Sequence, residues 1–447
     1  MEWQRLSNLA SAFELPDVKK RIMFVFAMFG VYVLGAHIPL PGIDKQAMAD
    51  FFGGGNLLDF LDAFAGGSLR RFSIFALGIM PYINASIIFQ LLTMAVPSLE
   101  ELQKEGEYGR RKIAQWTRYT TVGLAVLQGY GLVTMLRSGG VFTAGGMTVH
   151  FVVLTLAAGT CFLMWLGEQI TDKGIGQGVS LVIFVGIMTR MPTDLARTIT
   201  QWRIGEINFF NVAFLVAIFV GTVAFIVYIH QAQRKIPVQY AKRVKGTKWY
   251  GGGSSFLPLK VNQAGVIPII FAVSVALFPA TISQFLLNEK VVTWVADLPF
   301  FSEGAAETIR GVVFDITQFS QPGSSLLASG FYFVLVVLFT YFYTAATFNP
   351  EQIADNMRKN GGFIPGIRPG RPTREYLDKI MWRITLAGAC YLGFIAILQY
   401  YVGNITGVTT FSLVGGTSLL IVVGVALDTM QQVEAHLLMR HYEGFIK

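Results

Sequence analysis

At 447 residues, with 53% hydrophobic and only 14% charged side chains, the chain is too apolar for a water-soluble globule and reads as a polytopic membrane protein. A net charge of +8 would suggest nucleic acid as the partner of a soluble protein, but in a membrane protein basic residues first report orientation. The two cysteines, Cys161 and Cys390, both lie inside apolar runs, which supports neither a disulfide framework nor a zinc site.

The N-terminal WQRLSNLASAFELPDVKKR alternates apolar and basic residues, the pattern of an amphipathic helix on a membrane face or of a charge cluster that only sets topology. Apolar runs of spanning length follow at roughly 22–40, 72–94, 117–136, 150–170, 178–192, 210–230, 262–286, 326–347, 380–401 and 411–430. That makes about ten transmembrane helices. The first runs into HIPLPG with no small-x-small cleavage site and is read as an uncleaved span. The fifth is the shortest.

Between the first two spans, Gly53, Gly54 and Gly55 form a hinge, followed by Leu57, Leu58, Phe60, Leu61 and Phe64 at helical spacing. Asn56 is placed to cap this helix and Gly66-Gly67 to end it. Nine or ten helical residues reach only about half of a ~30 Å hydrocarbon core, so the helix cannot span. The next span carries Ile79, Ile83 and Ile87 at i+4 steps. A short helix between hinges beside a branched aliphatic stripe suggests a stopper next to a narrow apolar constriction.

Basic residues cluster between alternate spans: Lys104 with Arg110, Arg111 and Lys112; Arg234 to Lys248; and Arg358 to Arg374. The positive-inside rule makes these loops and both termini cytoplasmic, with Arg190, Arg197 and Arg203 a mild exception in an outside loop near 191–208. An even span count with both ends inside permits two inverted five-helix halves, 1–200 and 201–447, the second carrying large basic loops at 231–259 and 348–379.

No H-E-x-x-H, G-x-S-x-G or P-loop pattern is present, so no enzyme is expected. Gly174-Ile175-Gly176-Gln177-Gly178 joins two spans and reads as a tight turn. The five histidines recommend no metal, and no cofactor is expected. Glu168, Arg383 and Asp428 fall near span ends, leaving the span middles uncharged, which favours a passive conduit over an ion-coupled secondary transporter of a small solute. Mid-span isoleucines, namely Ile79 and Ile83, Ile183 and Ile187, Ile270, and Ile421, could form a ring that excludes water yet yields to a passing chain. Isoleucine at this spacing is more often packing or lipid-facing. Pro81 and Pro268 lie nearby, where kinks would allow flexing.

At these residues the chain resembles the SecY family, the channel-forming subunits of the bacterial protein-conducting translocon. The resemblance is carried by GGGNLLDFLDAFAGG, IFALGIMPYINASIIFQLL, EGEYGRRKIAQWTRY, DKGIGQGVSLVIF, YAKRV, LPLKVNQAGVIP, FPATI, NPEQIADNMRKNGGFIPGIRPG and GGTSLLIVV, spread over nearly the whole chain. It implies an all-α fold of two inverted halves around a central pore, and passive conduction of unfolded secretory polypeptides, with apolar segments released sideways into lipid.

By the same resemblance, residues 53–67 are the plug, with Leu57, Leu58, Phe60, Leu61 and Phe64 closing the channel. Ile79, Ile83, Ile183, Ile187, Ile270 and Ile421 match the pore ring, though Leu420 adjoins the last. The second and third spans against the seventh and eighth match the lateral gate, with Ile87, Gln90 and Asn262 in it. Lys242, Arg243 and Arg368 match the surface that docks the ribosome, through its RNA phosphates, or the SecA motor. The implied partners also include the small subunits SecE and SecG, signal sequences and nascent chains, and anionic lipids. The implied location is the bacterial cytoplasmic membrane.

Overall fold

The computed structural model describes residues 16–44, 46–48, 52, 62, 65–142, 146–240, 243–245, 248–250, 254–286, 311, 315, 323, 325–408 and 416–443. Among these the chain is mostly helical, and every one of the ten apolar runs contains a helix: α1 (Pro16–Ala36), α2 (Met80–Ala95), α4 (Glu107–Ser138), α5 (Gly146–Lys173), α6 (Gly178–Arg203), α7 (Phe209–Gln231), α8 (Ile267–Leu286), α9 (Leu326–Thr347), α11 (Arg371–Thr406) and α12 (Thr417–Glu443). Two short helices, α3 (Pro97–Lys104) and α10 (Pro350–Lys359), lie outside these runs. Among the described residues seven helices are long and apolar enough to cross a membrane, or eight if α2 and α3, bent by 100°, count as one. Ten spans are compatible with this: α1 carries Lys19, Lys20 and Arg21 in its first turns, and α8 runs for 20 residues without a charged side chain.

The second apolar run is not one helix. Residues 65–79 form tight turns, and α2 begins only at Met80. Phe72 and Gly78 adopt positive φ (46° and 57°), which no α-helix tolerates. The backbone pairs instead with the end of the first span: Leu40 N donates to Phe72 O at 2.9 Å and Ile74 N to Ile38 O at 3.1 Å. Phe75 is wedged between Tyr32 and Phe162, at ring distances of 5.9 Å each, over the space left by Gly35. Pro81 and Pro268 do not kink their helices. Both sit in a first turn, where the missing N–H would be unpaired in any case.

The fifth span is longer than its apolar run. Helix α6 continues through Pro192 to Arg203, so the expected outside loop near 191–208 shrinks to 204–208, and the boundary at 200/201 falls inside a helix. One of its arginines is matched within the helix, Arg190 Nε lying 3.2 Å from Asp194.

Between α1 and α6, α1 packs on α5 and α6, α2 on α4 and α5, α4 on α5, and α5 on α6. Counting spans from α7 to α12, the same pairs recur: α7 with α11 and α12, α8 with α9 and α11, α9 with α11, and α11 with α12. The two sets meet where α6 touches α12 and where α8 touches α2 and α4. Helices in lipid gain from close approach of backbones and little from apolar burial. At Gly159 and Gly178 no side chain fits: a Cβ would overlap the Ile74 carbonyl oxygen at the first and that of Gly167 at the second. Gly159→Ala is expected to lower the melting temperature in detergent, since overpacking of this kind costs about 1–3 kcal/mol. An unchanged melting temperature would show that α5 yields freely at this point.

The basic loops hold structure that their composition hides. Strands β1 (Gln233–Tyr240) and β4 (Ser254–Lys260) form an antiparallel hairpin, with β2 (Arg243–Lys245) and β3 (Lys248–Tyr250) paired in its tip. From the next large loop, β5 (Gly362–Phe363) adds to β1, giving the order β4-β1-β5. Beneath this sheet Ile236, Leu259, Ile364, Leu377 and Met381 form a separate apolar cluster.

Candidate functional site

The six isoleucines of the proposed constriction come from different elements and share one apolar cluster. Ile79 sits at the N-cap of α2 and Ile83 in its first turns, joined by an Ile83 N to Ile79 O bond of 3.1 Å. Ile183 and Ile187 lie one turn apart on α6, Ile270 near the start of α8, and Ile421 near the start of α12. All six are at most 7% exposed. The cluster is larger than a ring, however, and takes in Leu419 and Leu420 beside Ile421, so burial alone does not choose the register of α12.

The residues expected to form the plug, Leu57, Leu58, Phe60, Leu61 and Phe64, lie outside the described residues, as do the glycine hinge and Asn56. The end of that segment is described. Gly66 and Gly67 adopt left-handed φ of 69° and 76°. Asp62 is buried, and its Oδ1 accepts the amides of Leu69 and Arg70, each at 3.0 Å. Its carboxyl pKa is pushed up by burial, against the opposing pull of those amides and of the Arg190 and Arg70 guanidiniums. The Asp62, Arg190 and Asp194 cluster was missed in the sequence, although Arg190 and Asp194 stand at i, i+4.

Helix α8 packs on both α2 and α4, and α9 packs on α8 through Phe271 with Phe339 and Tyr343, at ring distances of 6.1 Å each. On α2, Ile87 is buried and Gln90 half-buried. Asn262 lies before α8 begins: its Nδ2 donates to Gly265 O at 3.0 Å, and its buried Oδ1 has no hydrogen-bond partner. It lines a polar cavity of about 450 Å³ together with His230, Lys260, Asp428, Gln431 and Gln432. There His230 Nε2 and Asp428 Oδ1 pair at 3.1 Å, and Lys260 Nζ donates to Gln431 Oε1 at 2.9 Å. The cavity borders β4 and so opens on the side of the basic loops.

Arg368 is exposed on a turn bounded by Gly366 and Gly370, both with positive φ (80° and 104°). Thr373 Oγ1 donates to the Arg368 carbonyl at 2.9 Å. Arg243 begins β2, pairing with Tyr250, whereas Lys242 lies outside the described residues. The sheet thus brings the two basic loops together. Among the described residues no cluster of His, Cys, Asp or Glu could hold a metal.

A family model described as SecY matches residues 73–430. The chain is 45% identical to the protein translocase subunit SecY of Streptomyces coelicolor, covering 99% of this chain and 100% of the relative. It is 44% identical to the subunit of the same name from Escherichia coli K12, covering 97% and 95%. Its fold is similar to that of a solved protein-conducting channel (TM-score 0.63, 17% identity, 96% of both chains). It is also similar to Sec61 in a canine ribosome-channel complex (TM-score 0.58, 17% identity, 96% of both).

Proposed function

The chain belongs to the SecY family, and from that premise we propose how its residues work. It is a multi-pass, protein-conducting channel subunit, neither an enzyme nor a carrier of small solutes. One observation carries the finer reading: buried isoleucines from α2, α6, α8 and α12 share one apolar cluster, and these helices meet where the first five spans touch the last five. A chain passing between the halves would part Ile79, Ile83, Ile183, Ile187, Ile270 and Ile421. Dispersion contacts break and reform without directional cost, so the ring closes again behind the polypeptide. The recurring packing pattern supports an inverted pair of halves.

In this reading the segment 53–67 plugs the outer side, and α2 and α4 part from α8 to release apolar segments, with Ile87, Gln90 and Asn262 along or beside that seam. Lys242, Arg243 and Arg368 dock a ribosome or the SecA motor, which supplies the energy. SecE, SecG and anionic lipids complete the assembly in the bacterial cytoplasmic membrane, with both termini and the basic loops inside.

The test is crosslinking from a photoreactive residue at position 83, 187, 270 or 421 to a secretory chain halted in transit, with lipid-facing positions on the same helices as controls. Capture at all four sites and not at the controls is expected. Capture of lipid or neighbouring helices alone would make the isoleucines packing residues.

A further inference from the structure

Arg190 stands between two carboxylates that are almost wholly withdrawn from solvent. Its guanidinium lies 3.7 Å from Asp62 and 3.2 Å from Asp194, the carboxylate side chains being 2% exposed and the arginine 13%. Asp194 is on its own helix, four residues on, whereas Asp62 belongs to the segment that precedes the second span. One turn before Arg190, the backbone of α6 touches the same segment: a Cβ on Gly66 would come within 2.6 Å of the Gly186 carbonyl oxygen. On the other side the Tyr32 hydroxyl donates to the Ala65 carbonyl at 3.2 Å. Another nearby cation, Arg70, lies with its guanidinium 5.4 Å over the Phe52 ring and donates to the Phe52 carbonyl at 3.5 Å.

We propose that Arg190 is a positioning residue for the plug: its ion pair with Asp62 ties the end of that segment to α6 and sets how strong a signal sequence must be to open the channel. The proposal rests on the reading of residues 53–67 as the plug. A buried carboxylate that loses its cation is strongly disfavoured unless water replaces it. The segment therefore leaves α6 only when its carboxylate reaches water, and every opening includes that step. Ile183 and Ile187 share this helix, so the tie and the two ring isoleucines that α6 supplies move as one piece.

The test uses the full channel with its partner subunits in membranes, comparing Arg190→Gln, Asp62→Asn and the double variant, with Arg190→Lys as the conservative control and deletion of 57–65 as the control for the plug. Export of a reporter with a defective signal is measured alongside chain abundance and resting ion conductance in planar bilayers. Each single change is expected to raise defective-signal export about tenfold, the double no further than the larger single, and Arg190→Lys to restore near-normal stringency. Arg190→Gln strands two carboxylates, so Asp62→Asn, which strands none and still accepts the two amides, carries the test should the first variant fail to accumulate. Single changes without effect while the deletion leaks, or effects that multiply in the double, overturn the tie. A deletion that leaves stringency and conductance unchanged overturns the plug reading itself, and the proposal with it.

Discussion

Ile83→Asn and Ile270→Asn channels are expected to export precursors with defective signals at least tenfold faster than the unaltered channel and to conduct ions at rest. Both side chains are almost fully withdrawn from water, at 5% and 7% exposed. Replacing isoleucine forfeits about 1.5–3 kcal/mol of apolar burial in the closed state. The new amide, if left without partners there, costs about a further 1–3 kcal/mol. In the open state the same amide faces water or a polar backbone and loses nothing, so the substitution acts mainly on the closed state. Since every 1.4 kcal/mol is tenfold in an equilibrium, even part of this difference moves the resting population measurably. Chain abundance separates a loosened seal from a misfolded one. Unchanged stringency at normal abundance would remove these isoleucines from the constriction.

Arg368→Glu should slow motor- or ribosome-driven export roughly tenfold or more, while leaving thermal stability within the small range usual for surface changes. The side chain is exposed, and its turn is fixed by neighbours that the substitution does not touch. The left-handed glycines at 366 and 370, the Thr373 hydroxyl on the Arg368 carbonyl, and Ile367 packed on the apolar cluster beneath the sheet all remain. What changes is two units of charge at a point held out from the membrane. A charge-assisted contact to a phosphate or carboxylate is worth about 1.5–3 kcal/mol, and reversal replaces attraction by repulsion. Rates of ATP-driven import into vesicles, read beside a melting curve, decide it. Normal rates would strike Arg368 from the docking surface.

The spans were legible because length and apolarity are enough to mark a helix that must satisfy its own backbone in lipid. The break at 65–79 was not, since Phe72 at positive φ is imposed by pairing with residues 38–40, a long-range contact that leaves no local signal. The far half of α6 was hidden by charge: Arg190 and Asp194 look like loop residues until they are seen to neutralise each other across one turn. In the basic loops an alternation was present, Ile236 and Val238 inward on β1 with Leu257 and Leu259 on β4, but Pro237 and Pro258 stand between them and the flanking Arg234, Lys235 and Lys260 read as topology signals. Pro81 and Pro268 have the chemistry for kinks, and only their position in a first turn shows that they begin helices instead.

The sheet between the basic loops also has a mechanical meaning. Strand β4 runs through residues 261–266 straight into α8, and that connection is short and braced: Val261 N donates to Ala232 O at 2.9 Å, and Asn262 holds Gly265. Through β5 the same sheet grips the chain entering α11. A load applied at either basic loop is therefore not absorbed by a slack tether. It reaches α8, and with it Ile270 and the seam against α2 and α4, as torque on a stiff lever.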